Sequence, residues 1–252
     1  NAAEPGYYQS TVPGNPELQW ETTAQTDIGV EFSIFDSLLR GTVDWYNKES
    51  RDLIFAVPLA PTTGYTAQNR NIGKLYNRGV EIDLTAQIVK NKNFSFNLNL
   101  IAATNKNRIT ELPEKNKATG IISGNYKRME GGSIYDYWLR QWYGVDPANG
   151  DALYQFDEAL VWADTDCKTM TDGKKVTSNQ AKAKYDWAGT SMPAVFGSVT
   201  PSFNVYVVDI SIQFNYSIGG KAFDNNWASL MSTGAMGTAK SVDILDRWTT
   251  PG

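Results

Sequence analysis

The sequence predicts an all-β fold: an antiparallel transmembrane β-barrel of which this chain forms part. Three observations carry that expectation. Segments of period 2 recur along the chain. They run about 9–12 residues, the span a tilted membrane strand needs, whereas ordinary strands peak near 5–6. Their connections alternate between tiny turns and loops of roughly 20 to 40 residues, against a usual median of about 4–6. A soluble sandwich has no reason to keep every second connection short. A barrel with turns at one end and long loops at the other does.

The elements follow in order. Between about Thr22 and Phe35, Val30, Phe32 and Ile34 oppose Glu31 and Ser33. A turn at Asp36-Ser37-Leu38 leads into Leu39 to Ser50, where Leu39, Gly41, Val43 and Trp45 oppose Arg40, Thr42, Asp44 and Tyr46. Between about Leu75 and Val89, Val80, Ile82, Leu84, Ala86 and Ile88 oppose Glu81, Asp83, Thr85 and Gln87. After Lys90-Asn91-Lys92-Asn93, a strand from Phe94 to Asn107 sets Phe94, Phe96, Leu98 and Leu100 against Ser95, Asn97 and Asn99, before Ile101 and Ala103 blur its polar face. A smaller hairpin is expected from Trp138–Val145 and Asp151–Phe156 around the rigid turn Asp146-Pro147-Ala148-Asn149-Gly150. The last pair is Val195–Val205 and Val208–Ile218, joined by an unusually apolar turn at Tyr206-Val207-Val208. Pro201 makes the first of these the poorest strand signal. Residues 158–190 are polar and without period, and read as an exposed loop with a helical turn near Asn179–Ala183. Long loops at about 51–74, 108–136, 157–193 and 219–252 would be extracellular. Aromatics gather near strand ends, with Trp20, Trp45, Tyr46 and Tyr76 toward the long loops and Phe35, Phe94 and Tyr206 toward the turns. Barrels place such rings at the membrane interface.

Composition narrows the function. The 252 residues carry 27 acids against 23 bases, a net charge of −4, with no basic stripe for nucleic acid. Mean hydropathy is −0.40 and no run of 18 apolar residues exists, which excludes transmembrane helices but not barrel strands. Histidine is absent, so the commonest metal ligand and general base are missing. Cys167 stands alone, and no intrachain disulfide is possible. No arrangement of nucleophile, base and oxyanion site is visible, so no enzyme is expected. Neither end reads as the end of a finished fold; the chain is taken as a piece of a longer protein.

A series of motifs then resembles one family. Asn15-Pro16-Glu17-Leu18-Gln19-Trp20-Glu21-Thr22-Thr23, followed by Gln25-Thr26-Asp27-Ile28-Gly29, is similar to a block of the SusC/RagA outer-membrane transporters of Bacteroidetes. So are Asp44-Trp45-Tyr46-Asn47, Asn71-Ile72-Gly73 with Asn77-Arg78-Gly79-Val80-Glu81, Asn105-Lys106-Asn107, Glu130-Gly131-Gly132-Ser133, Tyr143-Gly144-Val145-Asp146-Pro147 with Gly150-Asp151, Tyr216–Lys221, and Arg247-Trp248. The blocks stand in the family's order across nearly the whole chain. The resemblance implies part of a barrel of about 22 strands around a plug that this chain lacks. It also implies uptake of oligosaccharides or oligopeptides across the outer membrane, driven by TonB. A SusD/RagB-like surface lipoprotein would lid the barrel, and two such pairs would form a dimer. The rivals are a soluble carbohydrate-binding β-sandwich and a TonB-dependent receptor for a metal chelate or vitamin.

Candidate sites are few. Tyr135, Tyr137, Trp138, Trp142 and Tyr143 form the densest aromatic cluster. They are either a platform for substrate or a packed partner surface, and the energetics of buried aromatics favour packing. Glu31, Asp44, Glu81 and Asp83 would face the lumen, where such charges are solvated, paired with the plug, or against solute. Asp164, Asp166 and Asp172 raise calcium, but the spacing is not that of an EF-hand and Lys168 and Lys174 oppose a cation. No metal or cofactor is expected.

Overall fold

The computed structural model describes residues 13–71, 73–160, 167–232 and 237–251. In chain order the strands are β1 (Thr22–Ile34), β2 (Leu39–Arg51), β3 (Ile54–Pro58), β4 (Ala67–Asn71), β5 (Lys74–Lys90), β6 (Phe94–Ala103), β7 (Lys106–Glu111), β8 (Ile121–Ser123) and β9 (Tyr126–Arg128). Then follow β10 (Asp136–Arg140), β11 (Trp142–Val145), β12 (Ala152–Gln155), β13 (Lys168–Thr169), β14 (Lys175–Thr177), β15 (Tyr185–Thr190), β16 (Val195–Val205), β17 (Val208–Ser211) and β18 (Phe214–Ile218). Two short helices, α1 (Glu114–Lys117) and α2 (Asn225–Leu230), lie between. The described residues fall into two compact units. The first draws on Asn1–Ser123, Lys127–Tyr135 and Met192–Gly219, the second on Gly124–Tyr126, Asp136–Ser191 and Gly220–Gly252.

The first unit is a wall. Its sheet runs β1-β2-β5-β6-β16-β17, with β18 also on β16 and β7 also on β5, and every pairing is antiparallel. Because the ladders are in register, period 2 in each strand becomes rows across the sheet. Phe32, Gly41, Leu84, Leu100, Val199 and Phe214 make one apolar row. Val30, Val43, Ile82, Ala102, Gly197 and Tyr216 make the next. The other face carries Glu31, Thr42, Asp83, then Ile101 and Ser198, beside Ser33, Arg40, Thr85, Asn99 and Thr200. Among the described residues nothing covers the apolar side of the outermost strand: Ile28 and Val30 are each 61% exposed. A sheet edge left open on both sides does not close a barrel by itself.

Two glycines let tyrosines lie flat across neighbouring strands. Tyr46 covers Gly79 and donates its hydroxyl to the Thr104 carbonyl at 3.2 Å; Tyr216 covers Gly197 and donates to the Ile101 carbonyl at 2.9 Å. A Cβ at either glycine would collide with backbone oxygen. An aromatic ring laid over a strand glycine restores the packing that the missing side chain forfeits.

Three strands differ from expectation. The run from Phe94 breaks at Thr104-Asn105, because the Thr104 hydroxyl accepts the Val80 N–H at 3.0 Å in place of a ladder carbonyl. The last strand splits into β17 and β18 opposite Pro201. Ile212 donates its N–H to the Pro201 carbonyl at 3.1 Å, but proline has no N–H to return. The expected strand Trp138–Val145 divides at Gln141 between two sheets. Gln141 donates its N–H to the Lys184 carbonyl, accepts Gln155 N–H, and spends its side-chain amide on the Leu139 carbonyl at 3.0 Å.

Residues 158–190 are no plain loop where described. They supply β13, β14 and β15, and the helical turn sits at Gln180–Lys182 with the Asn179 side chain capping Ala181 N–H. In the second unit β10 pairs with β15, while β11-β12-β14-β13 form a separate sheet. Leu153, Phe156, Val176 and Ala183 are buried there, with Val176 wholly inaccessible. The first unit has its own small cluster, Ile109, Leu112 and Ile121 with Ile134. The expected loop 51–74 contains the β3–β4 hairpin.

Candidate functional site

The four acids expected in the lumen share the polar face of the wall. Glu31 and Asp83 flank Thr42 in one row; Asp44 and Glu81 are directly opposite each other in the next. Gly29 faces Asp44, whose carboxylate fills the space a Cβ would take. Asn99 donates its amide to Asp83 at 2.6 Å and to the Thr85 hydroxyl at 3.1 Å. Like charges directly opposite are unfavourable in a sheet, so Asp44 and Glu81 do not stabilise the wall by pairing with each other.

The recurring blocks turn out to grip one another. Asn71 Nδ2 donates to the carbonyls of Gln19 and Asp52, both at 2.7 Å, while its Oδ1 accepts Gln19 N–H at 2.6 Å. Asn15 reaches the Asn69 carbonyl, and Glu21 accepts Ile54 N–H at 2.7 Å. The segment before β1 is thereby strapped along the β3–β4 hairpin. Deeper in the same unit, buried Asn107 donates to Asn77 at 2.9 Å and accepts from the Ser133 hydroxyl and Ile134 N–H. Glu130 accepts Leu112 N–H at 2.9 Å. In the second unit, Trp248 Nε1 donates to the Pro147 carbonyl at 3.1 Å and its ring covers Gly150. Gly150 is left-handed (φ 79°) and a Cβ there would strike the indole. These side chains are spent on the fold. They are fasteners, and a ligand cannot use them without undoing it.

The aromatic cluster is divided. Tyr135 belongs to the first unit; Tyr137, Trp138, Trp142 and Tyr143 belong to the second. Tyr137 is 6% exposed, stacks on Tyr126 at 4.8 Å and accepts Phe223 N–H. Trp138 packs edge-on against Trp187 at 5.0 Å and stacks with Tyr185 at 6.5 Å. The Arg140 guanidinium lies over Tyr185 and its Nε donates to the Gln180 carbonyl. Arg140, Tyr185, Trp138 and Trp187 thus form one cross-strand ladder on the β10–β15 face. Tyr185 and Trp187 are missed by the sequence reading, although Tyr185-Asp186-Trp187 alternates; six residues are too few to show a period. Trp142 stays 55% exposed and meets Tyr154 edge-on.

Asp146 is 9% exposed at its side chain and anchors the β11–β12 turn. It accepts from Lys168 Nζ at 2.8 Å and Ala148 N–H at 3.0 Å. The Lys168 hydrogen bond, then the Ala148 N–H, hold its carboxyl below the usual carboxylate range. Asp172 is lowered by Lys174 N–H, and Tyr143 is raised by burial and then by the Asp172 charge. Asp164 and Asp166 lie outside the described residues. Asp172 is engaged by Lys174 and Tyr143, and no acid group among the described residues is arranged to hold a metal.

A long-stranded antiparallel wall, apolar on one face and polar on the other, with open edges, is a segment of a transmembrane β-barrel. Residues 2–235 match the family model described as TonB dependent receptor-like, β-barrel. The chain belongs to that family of outer-membrane transporters. It is 30% identical over 182 residues to TonB-dependent receptor P39 of Formosa agariphila, covering 69% of this chain and 16% of that protein. It is 32% identical over 109 residues to TonB-dependent receptor SusC of Bacteroides thetaiotaomicron, covering 42% of this chain and 11% of that one. It also superposes on a solved structure of the RagAB peptide transporter with a TM-score of 0.74 at 24% identity, over 94% of this chain and 26% of that one. That likeness concerns the fold. The chain spans about a quarter or less of the length of these proteins.

Proposed function

We propose that this chain supplies wall and outer loops to an importer that carries oligosaccharides or oligopeptides across the outer membrane, powered through TonB. A SusD/RagB-like lipoprotein would lid the loop end, and two such pairs would associate. The observation that carries the reading is the two-faced wall within a chain of this receptor family. The likeness to SusC and to a peptide transporter supports the lidded class over a receptor for a metal chelate or vitamin. In this reading Glu31, Asp44, Glu81 and Asp83 face the lumen. The loops at about 51–74, 108–136, 157–193 and 219–252 are extracellular. In the second unit Trp142, Tyr143 and the β10–β15 ladder with Trp138 face lid or solute, with Tyr137 buried against Tyr126; in the first unit the exposed Tyr135 does the same. Import by binding and gating requires no covalent step.

The test is affinity purification of the tagged full-length parent from detergent-solubilised outer membranes, with mass spectrometry of what accompanies it. A stoichiometric lipoprotein with bound peptides or glycans is expected. Recovery with a metal chelate or vitamin and no lipoprotein would overturn the lidded reading; recovery from the soluble fraction would sink the membrane reading altogether.

A further inference from the structure

The two faces of the β10–β15 pair are used differently. On one, Tyr137 is buried, stacks on Tyr126 at 4.8 Å and accepts Phe223 N–H, so the second unit closes that face itself. The other carries Arg140, Tyr185, Trp138 and Trp187 in two cross-strand pairs. It stays open among the described residues: Tyr185 and Trp187 are 38% and 42% exposed, and Arg140 is exposed as well. Arg140 is fixed there without being neutralised. Its Nε donates to the Gln180 carbonyl at 3.1 Å, and its guanidinium lies over the Tyr185 ring at 5.2 Å. Asp186 alternates to the opposite face, where it accepts Trp187 N–H at 2.8 Å and pairs with Lys184 at 3.2 Å. Asp136 shares the open face but stands at the other end of β10. Among the described residues no carboxylate pairs with Arg140. Its terminal nitrogens are left for the two-pronged bond that a guanidinium makes with a carboxylate.

The rings define what accompanies that carboxylate. The guanidinium occupies the Tyr185 face, and Trp138 and Trp187 meet edge to face at 5.0 Å and 68°. No flat run of rings remains for successive sugars to stack on. What remains is a corner between two indoles beside a cation. Residues two apart on a strand stand about 7 Å apart on one face, and Arg140 and Trp138 are two apart. An extended peptide has the same repeat. An acidic side chain at one position and an apolar one two positions away would therefore meet cation and corner together.

We propose that the Arg140–Tyr185–Trp138–Trp187 face captures extended peptides, with an acidic side chain on Arg140 and an apolar side chain, two positions away, against Trp138 and Trp187. The proposal rests on the importer reading and narrows its solute to oligopeptides that carry this pair.

The experiment uses the full-length parent, purified from outer membranes with whatever accompanies it, and follows fluorescein-labelled peptides by anisotropy. The peptides share an Ala/Ser background and an amidated C-terminus, with Glu-Ser-Phe, Gln-Ser-Phe or Glu-Phe-Ser at the centre. A fourth lacks Glu and ends in Phe with a free carboxylate, and an oligogalacturonate serves as the sugar-borne competitor. The Glu-Ser-Phe peptide is expected to bind about tenfold tighter than the Gln-Ser-Phe peptide. Arg140→Gln should abolish that difference, and Arg140→Lys, which keeps the charge but not the fork, should keep part of it. Hydrogen exchange across 136–191 checks that each variant is folded; should Arg140→Gln unfold the unit, Arg140→Lys carries the test. Trp187→Ala should weaken both peptides alike. A Glu/Gln difference that survives Arg140→Gln overturns the proposal. So does Glu-Phe-Ser binding as tightly as Glu-Ser-Phe, tighter binding of the free-acid peptide, or displacement by the oligogalacturonate. A parent that binds none of the panel also overturns it, while the importer reading stands or falls separately, on the lipoprotein and solute recovered with the parent.

Discussion

The wall and the second unit are both antiparallel sheet, yet they put their apolar side chains in different solvents. The wall keeps Ile28, Val30 and Phe214 exposed, because the apolar environment they need is lipid. The second unit buries Leu153, Phe156, Val176 and Ala183 within itself, because it has only protein to bury them in. Length follows solvent. Membrane-facing strands reach 13 and 17 residues in β1 and β5, whereas β13 and β14 have 2 and 3. The same amino acids are thus read two ways, and substitution separates the readings.

The largest effect should come from Val176→Asp. The new carboxylate would be wholly enclosed and unpaired, costing about 3–5 kcal/mol. Hydrogen exchange across 136–191 should rise to that of an unfolded segment while protection of β5 and β6 persists. Loss of protection in the wall as well would show that the two units fold as one.

Leu84→Arg tests the other solvent. Leu84 sits mid-strand in the Phe32–Phe214 row, and arginine near the bilayer midplane costs roughly 2–4 kcal/mol. Thr42→Arg, one position along β2 on the opposite face, should stay within about 0.5 kcal/mol. Urea-dependent folding of the full-length protein into vesicles measures both. Equal penalties would remove the distinction between the faces.

The same difference in solvent decides how much of each region is legible in the sequence. The wall was legible because its strands are long enough for period 2 to outlast exceptions such as Ile101. Its interruptions were less so: Pro201 announced a weak strand, but only the partner strand shows that the cost falls at Ile212. The second unit was largely illegible. A core residue such as Val176, between Lys175 and Thr177, has no period to betray it. Of the candidate residues, the aromatics were visible as a cluster but not as a division between Tyr135 and the rest, because the ladder partners Tyr185 and Trp187 lie more than 45 residues away in a stretch that reads as loop. The motifs named a family without revealing that Asn71 and Gln19, or Asn107 and Ser133, hold each other.

Asn107→Ala sharpens that last point. It strips a buried partner from Ser133, Ile134 and Asn77, and the unmet groups should cost about 1–3 kcal/mol. Exchange at Ile134 N–H should accelerate, with the β1–β2 ladder unaffected. Asn107→Asp keeps both acceptances but sets a buried carboxylate against the Asn77 oxygen, so protection should return only at acidic pH, where the protonated carboxyl can donate to Asn77.

The smallest effect concerns the second unit alone and follows from Asp146. Its carboxyl titrates lower in the folded chain than in the unfolded one, where the usual value is about 3.9. A depressed acid contributes stability above its unfolded value and loses it as pH falls through the folded value. Protection of the β11–β12 turn should therefore hold from neutrality to about pH 4 and decline below that. Lys168→Met removes the first cause of the depression, so the Asp146 titration observed by NMR should move toward the ordinary carboxylate range while Ala148 N–H still retains part of the shift. An unchanged titration in Lys168→Met would assign the depression to the turn backbone and leave Lys168 as a surface charge. The wall's acids are held differently: Asp44 and Glu81 lie directly opposite each other, whereas Asn99 donates to Asp83 and Lys74 pairs with Glu111.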